Sequence, residues 1–196
     1  MDSMEENSQQ NRDIPDVLYI AGYGRSGSTV LDVLLGGHPR VVSVGELVFL
    51  GCDWLSEDRN CACGESYESC PFWKGLFKDS REVESLKQIV RDIEHRCALP
   101  RLLLDGHCDE KKREYRRRTR KLFEYIAHQE RADLVVDSSK AGRYSAGRFW
   151  ALRHVAGLDM RVLHLVRDGC NVLQSVVEKG TNWAAEGHRK EKRLLG

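Results

Sequence analysis

Residues Gly22-Tyr23-Gly24-Arg25-Ser26-Gly27-Ser28-Thr29 place glycines, small hydroxyls and one cation in a single short run. Such a run can fold its amide N–H groups around an anion, and a helix starting at its end adds a favourable dipole. The expected ligand is therefore phosphorylated. Three further segments carry groups able to act on it: Gly45-Glu46-Leu47 offers a carboxylate, Asp137-Ser138-Ser139-Lys140 offers hydroxyls and an ammonium, and Arg167-Asp168-Gly169 offers a guanidinium. Ser175 follows Arg167 by about two helical turns, so the two converge on one anion only if that helix packs back beside the strand before it.

The loop fits the frame of a nucleoside-triphosphate-binding loop at Gly22, Gly27 and Thr29. Ser28, however, occupies the position of the lysine that reaches the β- and γ-phosphates. Nucleotide kinase chemistry, which would need that lysine and magnesium ligands, is disfavoured. A glycine-rich turn between a strand and a helix is also a common structural solution with no ligand at all.

Each segment sits at the end of an apolar run. Val17-Leu18-Tyr19-Ile20-Ala21 predicts a strand before the loop, and Val30-Leu31-Asp32-Val33-Leu34-Leu35 predicts a helix after it, closed by His38-Pro39. Val41 to Val44 predicts a strand ending near Glu46, Leu134 to Val136 a strand ending at Asp137, and Met160 to Val166 a buried strand ending at Arg167. Val172, Leu173, Val176 and Val177 mark the helix beyond. Between these, Val83, Leu86, Ile89, Val90, Ile93 and Cys97 recur at helical spacing, with Asp79 and Glu82 as a capping box, and a second helix is expected from about Asp109 to Glu130 on Tyr115, Leu122, Phe123 and Ile126. Strands alternating with helices imply an α/β fold, a mainly parallel sheet covered by helices on both faces. All candidate groups then fall at carboxyl ends of strands, along one edge.

The loop Arg25-Ser26-Gly27-Ser28-Thr29 resembles the 5'-phosphosulfate loop of sulfotransferases that use 3'-phosphoadenosine 5'-phosphosulfate (PAPS), which carry Arg or Lys followed by Ser-Gly-Thr/Ser-Thr. The Arg167-Asp168-Gly169 start and the interval to Ser175 look like that family's 3'-phosphate site. The Gly-Glu at 45–46 is similar to tyrosylprotein sulfotransferases, and the carbohydrate-type enzymes are the other near group. The resemblance implies a P-loop NTPase-like three-layer sandwich in which Gly24, Arg25, Ser26, Gly27, Ser28 and Thr29 hold the 5'-phosphosulfate and Arg167 with Ser175 holds the 3'-phosphate. Glu46 would be the catalytic base, Arg25 would lie along the transferring group, and Ser139 or Lys140 would assist the leaving phosphate; no metal is required. The acceptor, a hydroxyl or amine of a sugar, a tyrosine or a small alcohol or phenol, is left open, as is the oligomeric state.

Other roles compete at each position. Glu46 can cap a loop or pair with a basic neighbour, Arg167 can pair with Asp168, and Asp137 can cap a helix over a solvated Lys140. A non-catalytic nucleotide-binding or interaction protein remains the alternative to the enzyme. The basic run from Lys111 through Arg116, Arg117 and Arg118 to Lys121 reads either as a solvated helix face or as a docking surface for an acidic acceptor.

Four cysteines, Cys52, Cys61, Cys63 and Cys70, gather in a Gly- and Trp-bearing stretch at 51–73 that looks like an insertion seen in some sulfotransferase-family proteins. Their spacing lacks the paired C-x₂-C of zinc ribbons, and free thiols, a disulfide and metal all stay open. The 196 residues suit one domain at 17–196 after a polar tail at 1–16, with 41% hydrophobic and 31% charged residues. A formal net charge of +1 and the lack of any finger or helix-turn-helix spacing argue against nucleic acid. No stretch reaches the length of a membrane span and the first residues lack a signal-peptide pattern, so a soluble, cytoplasmic protein is expected, or a Golgi one if the chain is a fragment. The resemblance runs from Val17 to Lys179 and reads as the amino-terminal part of a catalytic domain.

Overall fold

The computed structural model describes residues 14–51, 61, 63–65, 69–77, 80–95, 98–104, 109–140 and 146–178. Four strands, β1 (Asp16–Gly22), β2 (Val41–Ser43), β3 (Leu134–Asp137) and β4 (Met160–Leu165), form one sheet in the order β2-β3-β1-β4. Every neighbouring pair is parallel. Helices α1 (Ser28–Gly36), α2 (Ser80–Glu94), α3 (Leu99–Leu104), α4 (Glu110–Glu130), α5 (Arg148–Trp150) and α6 (Gly169–Glu178) join and flank these strands, giving the expected α/β architecture.

Register explains which side chains meet the core. Val17 lies opposite Val135 and Tyr19 opposite Asp137, while Val42 also pairs with Val135, so these residues share one face. That face packs on Leu86, Val90 and Ile93 of α2, on Tyr115, Phe123 and Ile126 of α4, and on Ala151 and Leu152 beyond α5. Ile20 and Val136 alternate to the other face and are equally buried. Helix α4 is fixed at both ends: Asp109 accepts from the Lys112 amide at 2.8 Å, and Arg131 closes it in a left-handed conformation. For α2, which begins at Ser80, the expected cap Asp79 and the stripe residue Cys97 lie outside the described residues. Ile14 and Pro15, just ahead of β1, are already packed.

One expectation is overturned. β4 is not a buried strand: Val162 is 50% and Leu163 39% exposed, and α6 buries no residue. At the sheet edge β4 pairs with β1 alone, and among the described residues no helix packs closely on either of its faces. An alternating apolar run reads the same at an edge as in a centre.

Candidate functional site

All four strands point their carboxyl ends the same way, so the segments after them share one edge. The chain leaves β1 towards β2 on one side and leaves β3 towards β4 on the other, which puts the topological switch between β1 and β3. Open α/β sheets bind ligands in the crevice at such a switch. Here β1 delivers the Gly22 to Ser28 loop and β3 delivers Ser138 to Lys140.

Gly22 makes the loop's departure possible. Its φ is +144°, and a Cβ there would stand 2.4 Å from the Leu165 carbonyl oxygen, so β1 and β4 approach as only glycine allows. Arg25 adopts a left-handed φ of 68°, and Gly27, with φ 92°, caps α1 without any side-chain hydrogen bond. No acidic residue stands in the first turn of α1. The positive end of the helix dipole is thus left for an anion rather than an internal carboxylate. Ser28 is buried, Arg25 and Ser26 are half-buried, and Thr29 is exposed. Arg167, arriving from the end of β4, donates Nη1 to the Arg25 carbonyl oxygen at 2.9 Å.

The exits of β2 and β3 are stitched together beside this loop. The Ser138 amide donates to the Gly45 carbonyl at 2.9 Å, the Val48 amide donates to Ser139 Oγ at 2.9 Å, and Lys140 Nζ pairs with Glu46 Oε1. Lys140 has a left-handed φ of 62°; its amide donates to the Ile20 carbonyl at 3.2 Å, and its own carbonyl accepts from the Tyr19 hydroxyl. Ser139 is buried and its hydroxyl donates to Asp137 Oδ1 while accepting from Val48, so both of its hydrogen-bonding capacities serve the turn. Lys140 keeps partial exposure next to Glu46.

Beneath the turn lies an ion cluster with no signature in the sequence. Arg148 donates Nη2 to Asp137 at 2.8 Å and Nη1 to both carboxylate oxygens of Glu94 at 2.6 and 2.7 Å, and Tyr115 donates to Glu94 at 2.8 Å. Burial opposes the Arg148 charge, but the facing Asp137 and Glu94 carboxylates outweigh it and hold the guanidinium pKa well above its usual value. Burial, then the Asp137 charge, raises the Tyr19 phenol. These phenols therefore serve as neutral donors. Asp137 also accepts from the Ser139 amide at 3.0 Å, so the cluster holds the strand end from which Lys140 projects.

Asp32, one turn beyond Ser28, was missed although a carboxylate inside an apolar stretch is a readable signal. It is 7% exposed with Oδ1 unpartnered among the described residues. Burial raises its pKa, and hydrogen bonds from Ser43 and Ser138 oppose the rise without cancelling it. It therefore bridges α1 to the exits of β2 and β3.

Other expected features are less engaged. Ser175 is half-buried on α6, and among the described residues no hydrogen bond joins it to Arg167. The basic run on α4 is tied down within the chain: Lys111 pairs with Asp92 at 2.7 Å, Lys112 is buried, and Arg117 and Arg118 grip Glu114. Their hydrogen bonds, Arg117's first, hold the Glu114 carboxyl at about 2 against the cost of its partial burial. A surface groove of about 540 Å³ bounded by Val33, His38, Pro39, Phe72 and Glu130 contains no residue of the Gly22 to Ser28 loop and none of Asp32, Glu46 and Asp137. No described helix is long and apolar enough to cross a membrane.

Comparison of the chain with protein-family models, with curated proteins and with solved structures finds no match.

Proposed function

We propose that the protein transfers a sulfuryl group from PAPS to an acceptor hydroxyl or amine at the carboxyl edge of its sheet. The observation that carries this reading is the meeting of Arg167 with the Arg25 loop, with a carboxylate-ammonium pair, Glu46 and Lys140, at the neighbouring strand exits. Two guanidinium groups near one helix start suit a ligand with two anionic ends. The loop Gly24 to Thr29 takes the 5'-phosphosulfate, and Arg167, with Ser175, takes the 3'-phosphate. Ser28 in place of the triphosphate-binding lysine favours this ligand over ATP.

In the transfer, the acceptor oxygen or nitrogen forms a bond to sulfur as the bond from sulfur to the bridging phosphate oxygen breaks. The acceptor proton passes to Glu46, and the electron pair stays on adenosine 3',5'-bisphosphate. Lys140 is better placed than Ser139 to meet the negative charge that builds on the leaving oxygen, because the Ser139 hydroxyl is consumed within the turn. An anionic ligand competes with Glu46 for Lys140. Binding thus draws the ammonium away and frees the carboxylate to act as base.

Calorimetry with adenosine 3',5'-bisphosphate against adenosine 5'-phosphate tests the binding half of this reading, and radiolabelled sulfuryl transfer to sugars, tyrosine peptides and small phenols tests the chemistry. Arg25→Ala is expected to lower affinity at least about tenfold. Glu46→Ala is expected to preserve affinity and lower turnover by about a hundredfold or more. Preference for the 3'-phosphorylated ligand without any transfer would leave a nucleotide-binding protein, and equal affinity for the two ligands would end the proposal.

A further inference from the structure

Cys61, Cys63 and Cys70 form a cluster that the sheet-edge chemistry does not use. All three are free thiols, and their sulfur atoms lie within 4.8 Å of one another. Cys70 Sγ is 3.5 Å from both Cys61 Sγ and Cys63 Sγ. A disulfide joins two sulfurs and would leave the third over. Three converging sulfurs instead match one triangular face of a tetrahedron around zinc, whose sulfur-to-sulfur edge is about 3.8 Å for Zn–S bonds of the usual length.

The backbone around the thiols has a second, independent feature of the same kind. The chain reverses after Cys61: the Gly64 amide donates to the Cys61 carbonyl at 2.9 Å, the Cys61 amide donates to the Glu65 carbonyl at 2.8 Å, and Gly64 takes a left-handed φ of 92°. At the other arm the Trp73 and Lys74 amides donate to the Cys70 carbonyl at 3.1 and 2.8 Å. Hydrogen-bonded turns thus set the course of the chain at both thiol-bearing arms, the kind of outer-shell support a metal ligand needs.

The surroundings explain what an ion would do there. Cys70, Trp73 and Leu76 are buried in the main core, and the Tyr125 hydroxyl of α4 hydrogen-bonds the carbonyls of Phe72 and Lys74 at 2.9 and 3.0 Å. Cys61 packs against the margin of that core, but among the described residues no hydrogen bond ties Cys61, Cys63, Gly64 or Glu65 of its turn to a strand or helix. A cross-link from Cys61 and Cys63 to Cys70 would tie that turn to the core. Three sulfur donors select a thiophilic ion such as zinc over magnesium or calcium.

We propose that Cys61, Cys63 and Cys70 bind a zinc ion as three thiolates of a tetrahedral structural site. Each ligand thiol releases its proton on binding, and no oxidation or reduction takes place. The site is independent of the sulfuryl-transfer reading, and loss of one would not touch the other.

The test uses the full chain. Elemental analysis of purified protein is expected to show about one zinc per chain, and cobalt(II) added to the metal-free chain should give an intense sulfur-to-cobalt charge-transfer band with the visible bands of tetrahedral cobalt. Chelation should release the metal while making the three cysteines reactive to a thiol reagent. Cys63→Ser, at an exposed position, should lose the metal and the cobalt band without disturbing the core, and Cys61→Ser and Cys70→Ser should also lose both; Cys170→Ser, on exposed α6, should keep both. A chain that takes up neither ion, a mass showing a disulfide among these three cysteines, or metal retained by Cys63→Ser would each overturn the proposal.

Discussion

Arg167 reaches from the end of β4 to donate Nη1 to the Arg25 carbonyl oxygen at 2.9 Å, joining two residues 142 positions apart. The contact supports a non-glycine residue in a left-handed conformation, since Arg25 has a φ of 68°. A guanidinium has five donors, so one hydrogen bond to the loop leaves others for a ligand. The proposed contact with a 3'-phosphate would be a second role, and experiment can separate it from the first.

If Arg167 meets the 3'-phosphate, Arg167→Ala weakens adenosine 3',5'-bisphosphate by about 10- to 100-fold, the worth of a charge-assisted pair. Adenosine 5'-phosphate should weaken much less, through the loosened loop alone. Calorimetry on both ligands reads the difference. Equal losses would reduce Arg167 to a prop for Arg25.

Gly22→Ala is expected to cost about 2 to 4 kcal/mol, combining overpacking against the Leu165 carbonyl with a φ that side chains rarely adopt. Gly27→Ala has a strained φ too, but no atom stands within 4 Å of the added carbon. Its cost should stay near about 1 kcal/mol. Urea denaturation of the two variants gives the ranking, and a harmless Gly22→Ala would mean that β1 and β4 part more easily than their register implies.

Arg148→Met leaves Asp137 and Glu94 buried without their cation, which should cost about 3 to 5 kcal/mol. Adding Glu94→Gln and Asp137→Asn to that variant removes the stranded charges and should restore part of the loss. Denaturation midpoints decide this. A single variant as stable as the parent would show that the cluster is not holding the turn at Lys140.

Asp32 makes a pH-dependent contribution of a definite sign. Its folded-state pKa is raised above the ordinary value of 3.8, chiefly by burial, so the folded chain holds that proton more tightly than the unfolded chain. The resulting stability is fully present below the ordinary value and is lost as pH rises through the folded one. Relative to Asp32→Asn, which keeps an acceptor for Ser43 and Ser138, the parent should lose thermal stability as the pH is raised from about 4 towards neutrality. Parallel melting curves for the two proteins across that range would remove Asp32 from the account.

Much of the site's placement was readable in advance. The β-branched run ending at Ala21 and the glycines and serines after it specify strand, turn and helix from neighbours a few residues apart, and Ser80 to Glu94 and Glu110 to Glu130 follow their apolar periodicity. The parallel sheet then puts Glu46, Lys140, Arg25 and Arg167 on one edge, as the alternation of elements implies. Arg148 was invisible, because one arginine among 31 lysines and arginines carries no local mark of burial. The engagement of the Ser139 hydroxyl with Asp137 and Val48 was equally illegible, since Val48 comes from a segment 91 positions away.

The sequence alone determined, to within a residue, where each strand stops and which chemical groups stand just beyond, since those follow from hydrogen bonding and apolar spacing within a few turns of chain. Only the tertiary structure decided that Glu46 faces Lys140, that Arg148 joins Asp137 to Glu94, and that β4 lies at an edge with its apolar residues uncovered. Those outcomes depend on strand order and register, which are fixed by the packing of the whole sheet against its helices and leave no trace in any one segment.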